Sequence, residues 1–298
     1  MKDSRPMAGV DVQRPVRGVL LVTGAVFVFA LADVATKHLA MRYDVPFVVA
    51  IRYFINVVLL LAVLAPRHEL ALVRTTRTRM VVLRGLCLAA ASLTMGIALR
   101  HMPVGETVAI IYLAPVLVLL LSVPLLGERV GRAEWIGALV GFAGVLVIVR
   151  PGSGLSPVGV GFALANACLA AGYVLLSRVL ARTETMIAML FYTAVVGALV
   201  FGAMLPWSLN GPAVTWADAG LLLALGVLAT VGHFLFTAAY REAPASVLAP
   251  VNYMRLVWAA LLGWLVFSHA PDGWSLFGMA MVAGAGVAIA VRSGRRRG

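Results

Sequence analysis

Ala98–Pro151 reads ALRHMPVGETVAIIYLAPVLVLLLSVPLLGERVGRAEWIGALVGFAGVLVIVRP. In order, this is a helix entry ending at Pro103, an apolar run carrying Glu106, Tyr112 and Pro115, a tight charged turn at Gly127-Glu128-Arg129, and a glycine-rich run from Trp135 to Val149. The stretch reads as a helix entry, a membrane span, a tight charged turn and a second span. The pattern returns 141 residues later: Ala98 falls on Ala239, Arg100 on Arg241, Pro103 on Pro244, Tyr112 on Tyr253 and Gly137 on Gly278. Eight of the forty positions are identical. Apolar matches are common in so hydrophobic a chain, but the Arg-x-x-Pro entry with a tyrosine nine residues later is not. Two related units are therefore expected, at 17–150 and 157–292.

Working outward, composition sets the class. Hydrophobic residues make up 62% and charged residues 12% of 298, against roughly 45–50% and 25% in soluble domains. Mean hydropathy is +1.00. This is an integral membrane protein with the lipid bilayer as its partner. The net charge of +12 does not indicate nucleic acid, because the basic residues lie between apolar runs rather than on one face. Cys87 and Cys168 fall inside apolar runs and read as small packing residues. The basic segment 1–17 before an apolar run resembles a signal peptide, but Gly18–Thr36 can cross the membrane itself.

Ten spans are expected, at 17–37, 46–65, 80–99, 103–126, 133–149, 157–177, 184–206, 217–239, 244–267 and 273–291. The alternation of a transmembrane barrel is absent, so the fold is all-α. Of the 24 lysines and arginines, only Lys37, Arg42, Arg100 and Arg150 fall on the side away from the N-terminus, and Arg52, Arg84 and Arg255 fall within spans. Basic loops stay inside, so both termini are expected in the cytoplasm. Five spans per unit is an odd number, which makes the two five-helix repeats inverted. Gly137, Gly141 and Gly144, partly echoed by Gly278, Gly284 and Gly286, form small-residue stripes. These serve packing within one chain, with a homodimer as the alternative.

The run Pro103 to Pro115, Leu126-Gly127-Glu128-Arg129, Gly137, Gly141, Gly144-Val145 and Arg150-Pro151 resembles the signature of the drug/metabolite transporter superfamily, EamA type. The resemblance covers nearly the whole chain. It implies a ten-helix carrier of two inverted repeats in a bacterial inner membrane, moving small molecules such as amino acids, sugars, nucleobase-like cofactors or drugs. Ser268-His269 stand at the place of Gly127-Glu128 in the second repeat, and Asp33 is an acid unusual on the first span.

Ionisable groups within spans cost about 2.5–3.5 kcal/mol each at the bilayer centre and mark functional sites. Span position puts Asp33, Arg52 and Glu106 in the outer third, Arg84 and His233 in the inner third, and Arg255 near mid-depth. Arg52 either snorkels to the outer interface or pairs, Arg84 is expected to snorkel inward, and Glu106 to complement a helix N-terminus. Asp33 and Arg52 share a depth on consecutive spans and are expected to pair. Arg255 has no acid on its own span. It is expected either to hold a solute carboxylate or phosphate, or to pair internally. Tyr253, Asn252, Trp258, Tyr112, Tyr173 and His233 join it as candidate solute-binding residues, with Asp33, Arg52 and Glu106 as gate or proton-coupling candidates.

The function expected is secondary transport of a zwitterionic or anionic solute, most simply amino-acid export. An uptake carrier for a vitamin- or nucleoside-like cofactor is the alternative. An intramembrane enzyme would need a nucleophile with a base, or a metal cluster. The histidines are scattered, with no H-E-x-x-H and no G-x-S-x-G. A channel would need a filter-like interruption. No Walker motif is present, and neither a cofactor nor a metal is implied.

Overall fold

The computed structural model describes residues 15–68, 74–126, 131–150, 152–181, 183–209, 211–243 and 245–295. It contains α1 (Pro15–Ala40), α2 (Val45–His68), α3 (Thr78–His101), α4 (Val104–Ile111), α5 (Ala114–Leu126), α6 (Arg132–Ile148), α7 (Pro157–Leu180), α8 (Met186–Met204), α9 (Trp216–Glu242), α10 (Ala245–Asn252), α11 (Met254–Phe267) and α12 (Gly273–Arg295). No strand occurs among the described residues. Among the described residues, seven helical stretches are long and apolar enough to cross a membrane alone, and Trp135–Ile148, Met254–Phe267 and Gly273–Ala288 are shorter apolar helices. The architecture is ten crossings in two five-helix repeats.

The continuous spans expected at 103–126 and 244–267 are each broken, giving the pairs α4/α5 and α10/α11. Pro115 has no N–H, so the Ile111 carbonyl loses its helical partner. Tyr112 then leaves helical geometry (φ −67°, ψ 3°), and the Leu113 N–H reaches back only three residues, to the Ile110 oxygen at 3.0 Å. Tyr253 makes the matching break (φ −69°, ψ −12°), where the Leu256 N–H bonds the Tyr253 oxygen at 3.0 Å. The two breaks occupy the same point of the repeat.

The repeats are interleaved. α1 lies along α9, α7 along α3, α2 against α8 and α6 along α12, and each pair takes one helix from each repeat. The α6–α12 contact uses part of the glycine stripe. A Cβ on Gly144 would stand 2.8 Å from the Gly278 oxygen, and one on Gly278 would stand 2.7 Å from the Gly144 oxygen. The stripe is thus engaged within the chain. Leu139, Phe142 and Leu146 on α6 and Phe234 on α9 are exposed, as lipid-facing side chains must be.

Polar residues pin the helix starts. Ser156, Thr185 and Thr215 accept from the N–H groups of Gly159, Ala188 and Asp218, satisfying donors that a helix leaves open. α3 has no such side chain of its own. Glu184, in the α7–α8 turn, accepts instead from the backbone N–H groups of Thr76 and Arg77. Burial pushes its carboxyl up, but hydrogen bonds from the Thr76 hydroxyl and these backbone groups outweigh burial and hold it below the usual carboxylate range. At the corresponding place, Tyr43 of the α1–α2 turn donates to Asp218 at the start of α9, 2.8 Å away. Each repeat therefore clasps the third helix of the other.

Candidate functional site

The two helix breaks meet. The Tyr112 and Tyr253 rings lie 4.9 Å apart, tilted by 49°, and the Tyr112 hydroxyl donates to the Asn252 carbonyl at 2.8 Å. That carbonyl ends α10 and would otherwise be unsatisfied. The Tyr253 hydroxyl sits where a Cβ on Gly286 would be, so this close approach requires glycine. Asn252 contributes its backbone here.

Beside this crossing, Asp33 of α1 and Arg255 of α11 form a two-pronged ion pair. Arg255 Nε donates to Asp33 Oδ2 at 3.1 Å, and Nη2 donates to Oδ1 at 2.9 Å and Oδ2 at 2.7 Å. The internal alternative for Arg255 is therefore the one observed, and the expected Asp33–Arg52 pair is not formed. Depth along a helix does not specify which way a residue faces, and α11 turns Arg255 onto α1. The pair lies deep in the bundle, yet a quarter of the Arg255 side chain is open to solvent. His233 is likewise deep and likewise exposed. These deep-set side chains that keep some exposure mark the candidate chamber, between α1, α9 and α11. Phe29 lines it, with its ring 5.0 Å from His233 and 5.3 Å from the Arg255 guanidinium.

Two further guanidinium groups reach this region. Arg52 donates to the Ser92 hydroxyl at 2.7 Å and lies over the Tyr53 ring. Arg84 does not snorkel. It is 5% exposed and donates to the Ser177 and Thr193 hydroxyls, the Met189 carbonyl and the Tyr173 hydroxyl. α7 and α8 supply acceptors that make burial tolerable. Arg52, Arg84 and Arg255 all act on His233. Arg52 and Arg255 also act on Asp33, so positive charge exceeds negative in this region. Trp258 packs edge-on against Phe27 at 5.0 Å, and its buried Nε1 has no acceptor.

Glu106 lies apart, in the first turn of α4. It is 2% exposed. Oε1 is 3.4 Å from His269 Nε2, and Oε2 is buried without a partner. Lys37 interacts with Glu106 electrostatically, donates to the Leu99 and Met102 carbonyls at 2.8 and 2.6 Å and covers the Phe267 ring. These contacts tie α1, α3, α4 and the end of α11 together. α4 packs along α11 and α1 against α3, whereas their counterparts, α10 with α5 and α7 with α9, meet far less. The helices therefore pack more closely at the Lys37–Glu106 end.

Reading single residues from the sequence missed Ser92, Thr193, Tyr53, Phe29 and Ser177. The repeat held a signal for two of them: a shift of 141 lays Ser92 on His233 and Arg52 on Thr193. No group of three His, Cys, Asp or Glu residues able to hold a metal is found among the described residues.

The EamA-like transporter family model matches this chain twice, over residues 16–150 and 157–292. The chain belongs to the EamA-like transporter family. The pseudopaline exporter CntI of Pseudomonas aeruginosa strain UCBPP-PA14 is 31% identical to this EamA-like chain over 273 residues, covering 91% of it and 95% of the exporter. A riboflavin transporter of Rhizobium johnstonii is 30% identical, covering 100% of this chain and 98% of its own. An S-adenosylmethionine uptake transporter of Rickettsia bellii is 29% identical, covering 84% and 85%. A solved crystal structure, 23% identical and covering 94% of this chain and 98% of its own, matches with a TM-score of 0.64, which bears on the fold alone. The family and these relatives are small-molecule transporters; their cargoes and directions differ.

Proposed function

We propose that this EamA-like protein is a secondary transporter that exports a small anionic or zwitterionic solute of amino-acid size by alternating access. It would sit in the bacterial inner membrane with both termini in the cytoplasm. The observation that carries the reading is charge. Arg52 and Arg255 act on the one carboxylate, Asp33, and Arg84 joins them around His233, beside the point where the broken helices of both repeats meet. Carriers with inverted repeats bind solute at such discontinuous helices. A net positive, partly desolvated chamber favours anions and rejects cations. Similarity to the pseudopaline exporter supports the outward direction.

A second reading is uptake of a vitamin- or nucleoside-like cofactor. It is favoured by the flat faces of Tyr112, Tyr253 and Phe29 and by the full-length match to a riboflavin transporter. Thermal unfolding of the purified protein with amino acids, dicarboxylates, riboflavin, nucleosides and polyamines discriminates the two. Stabilisation by anionic or zwitterionic compounds is expected for the first reading and by riboflavin or nucleosides for the second. Stabilisation by polyamines alone overturns both.

A further inference from the structure

Three arginines surround the chamber, and they are not equivalent. A guanidinium has five N–H donors arranged so that either of two edges can grip a carboxylate with both prongs. Arg255 is neutralised by Asp33, which takes its Nε and Nη2, and the Tyr112 hydroxyl stands beside it. Arg84 is almost used up: Nε, Nη1 twice and Nη2 donate to Ser177, Met189, Thr193 and Tyr173. It keeps one N–H, and no edge.

Arg52 differs on both counts. Among the described residues no carboxylate bonds it, and one hydrogen bond holds it, from Nη2 to Ser92. Whichever Nη2 proton Ser92 takes, one two-pronged edge stays open. Its orientation is nevertheless fixed. The Ser92 hydroxyl donates its only proton to the Leu88 carbonyl at 2.9 Å, so its oxygen accepts from both Arg52 and the Tyr53 hydroxyl, 3.0 Å away. The Tyr53 ring lies under the guanidinium at 5.1 Å.

Arg52 also faces inward. At about 100° per residue, Phe54, Val58 and Leu61 fall on the far side of α2 from Arg52, and these are exposed to lipid at 41%, 64% and 40%. Arg52 keeps partial exposure on the opposite face, where its charge acts on both Asp33 and His233. The repeat places it on the local symmetry: the pair Arg52–Ser92 corresponds to Thr193–His233. A solute there would lie between the halves.

We infer that Arg52 is the residue that grips the anionic group of the solute, a carboxylate or a phosphate, with Ser92 and Tyr53 as positioning residues and Arg84 and Arg255 held as fixed charges. This rests on the transport reading above and names its binding residue.

The test measures counterflow in proteoliposomes with a labelled amino acid, a dicarboxylate and an organic phosphate, each beside its amide or ester analogue lacking one charge. For the wild type, the charged solute is expected to exchange with a KM about ten- to a hundredfold lower than its analogue, the range of one charge-assisted hydrogen-bond pair. In Arg52→Lys, which keeps charge but loses the fork, that preference is expected to shrink at least several-fold through KM. Ser92→Ala, which frees the side chain without removing it, is expected to shrink it less. Preference for carboxylate over phosphate solutes, or the reverse, identifies the group. A wild type that exchanges only neutral or cationic solutes overturns the anionic-solute reading on which this assignment rests. A wild type that prefers the charged solute while Arg52→Lys and Ser92→Ala keep the preference intact overturns the assignment to Arg52 alone.

Discussion

Asp33 and Arg255, 222 residues apart in the chain, close on one another through contacts of 2.7, 2.9 and 3.1 Å. The pair bolts the first helix of one repeat to the broken fourth helix of the other. Removing one partner strands a charge in low dielectric and costs about 3–5 kcal/mol, more than replacing both. Asp33→Asn and Arg255→Gln are each expected to lower the thermal midpoint in detergent, and the double variant to recover much of the loss. A double variant no more stable than either single would show that the charges do not depend on one another.

Glu106, buried beside His269 and Lys37, is proposed as the residue that holds this end of the bundle shut. Met102 lies beneath it, 1% exposed, and its carbonyl accepts from Lys37. In a background lacking Cys87 and Cys168, Met102→Cys is expected to react slowly with a membrane-impermeant maleimide and several-fold faster once Glu106→Gln is added. Equal rates would remove Glu106 from the closure.

Ser268 ends α11 in the left-handed region, at φ 55°, where a side chain costs about 1–2 kcal/mol and glycine does not. Ser268→Gly is expected to raise the thermal midpoint modestly and Ser268→Val to lower it. A destabilising glycine would mean that the serine hydroxyl contributes more than the backbone costs.

Glu184 caps α3 from the α7–α8 turn, and hydrogen bonds hold its carboxyl below the usual range against the pull of burial. A carboxyl with a depressed folded pKa stabilises above the unfolded pKa and loses that contribution as pH falls through the folded value. The wild type is expected to exceed Glu184→Gln by about 2–4 °C at pH 7. The gap should close as pH drops below the ordinary glutamate range near pH 4. A gap independent of pH would point to shape rather than charge.

The repeat and the ten crossings were legible because the Arg-x-x-Pro entry, the tyrosine nine residues on and the basic loops are local signals. The helix breaks were half legible. Pro115 was visible, but a proline inside an apolar run does not say whether the helix kinks or stops until the partner helix is known. The chamber was legible as a list of residues and not as a set of pairs. Hydropathy gives depth, whereas pairing depends on azimuth. Asp33 therefore looked toward Arg52 on the next span, although α11 carries its partner. Arg84 read as a snorkelling side chain because the hydroxyls that satisfy it lie on α7 and α8, about 90 to 110 residues away.

In the proposed function, the positive chamber carries an anionic or zwitterionic solute from one face of the membrane to the other. The most direct measurement of this is exchange in proteoliposomes, with a trace of labelled solute outside and the same unlabelled solute inside at equal or higher concentration. Entry of label is expected to accelerate several-fold when the inner solute is anionic or zwitterionic, polyamines inside are expected to do nothing, and the recovered label is expected to be chemically unchanged. Entry indifferent to the inner solute, acceleration by polyamines alone, or a chemically altered label would contradict the proposed function.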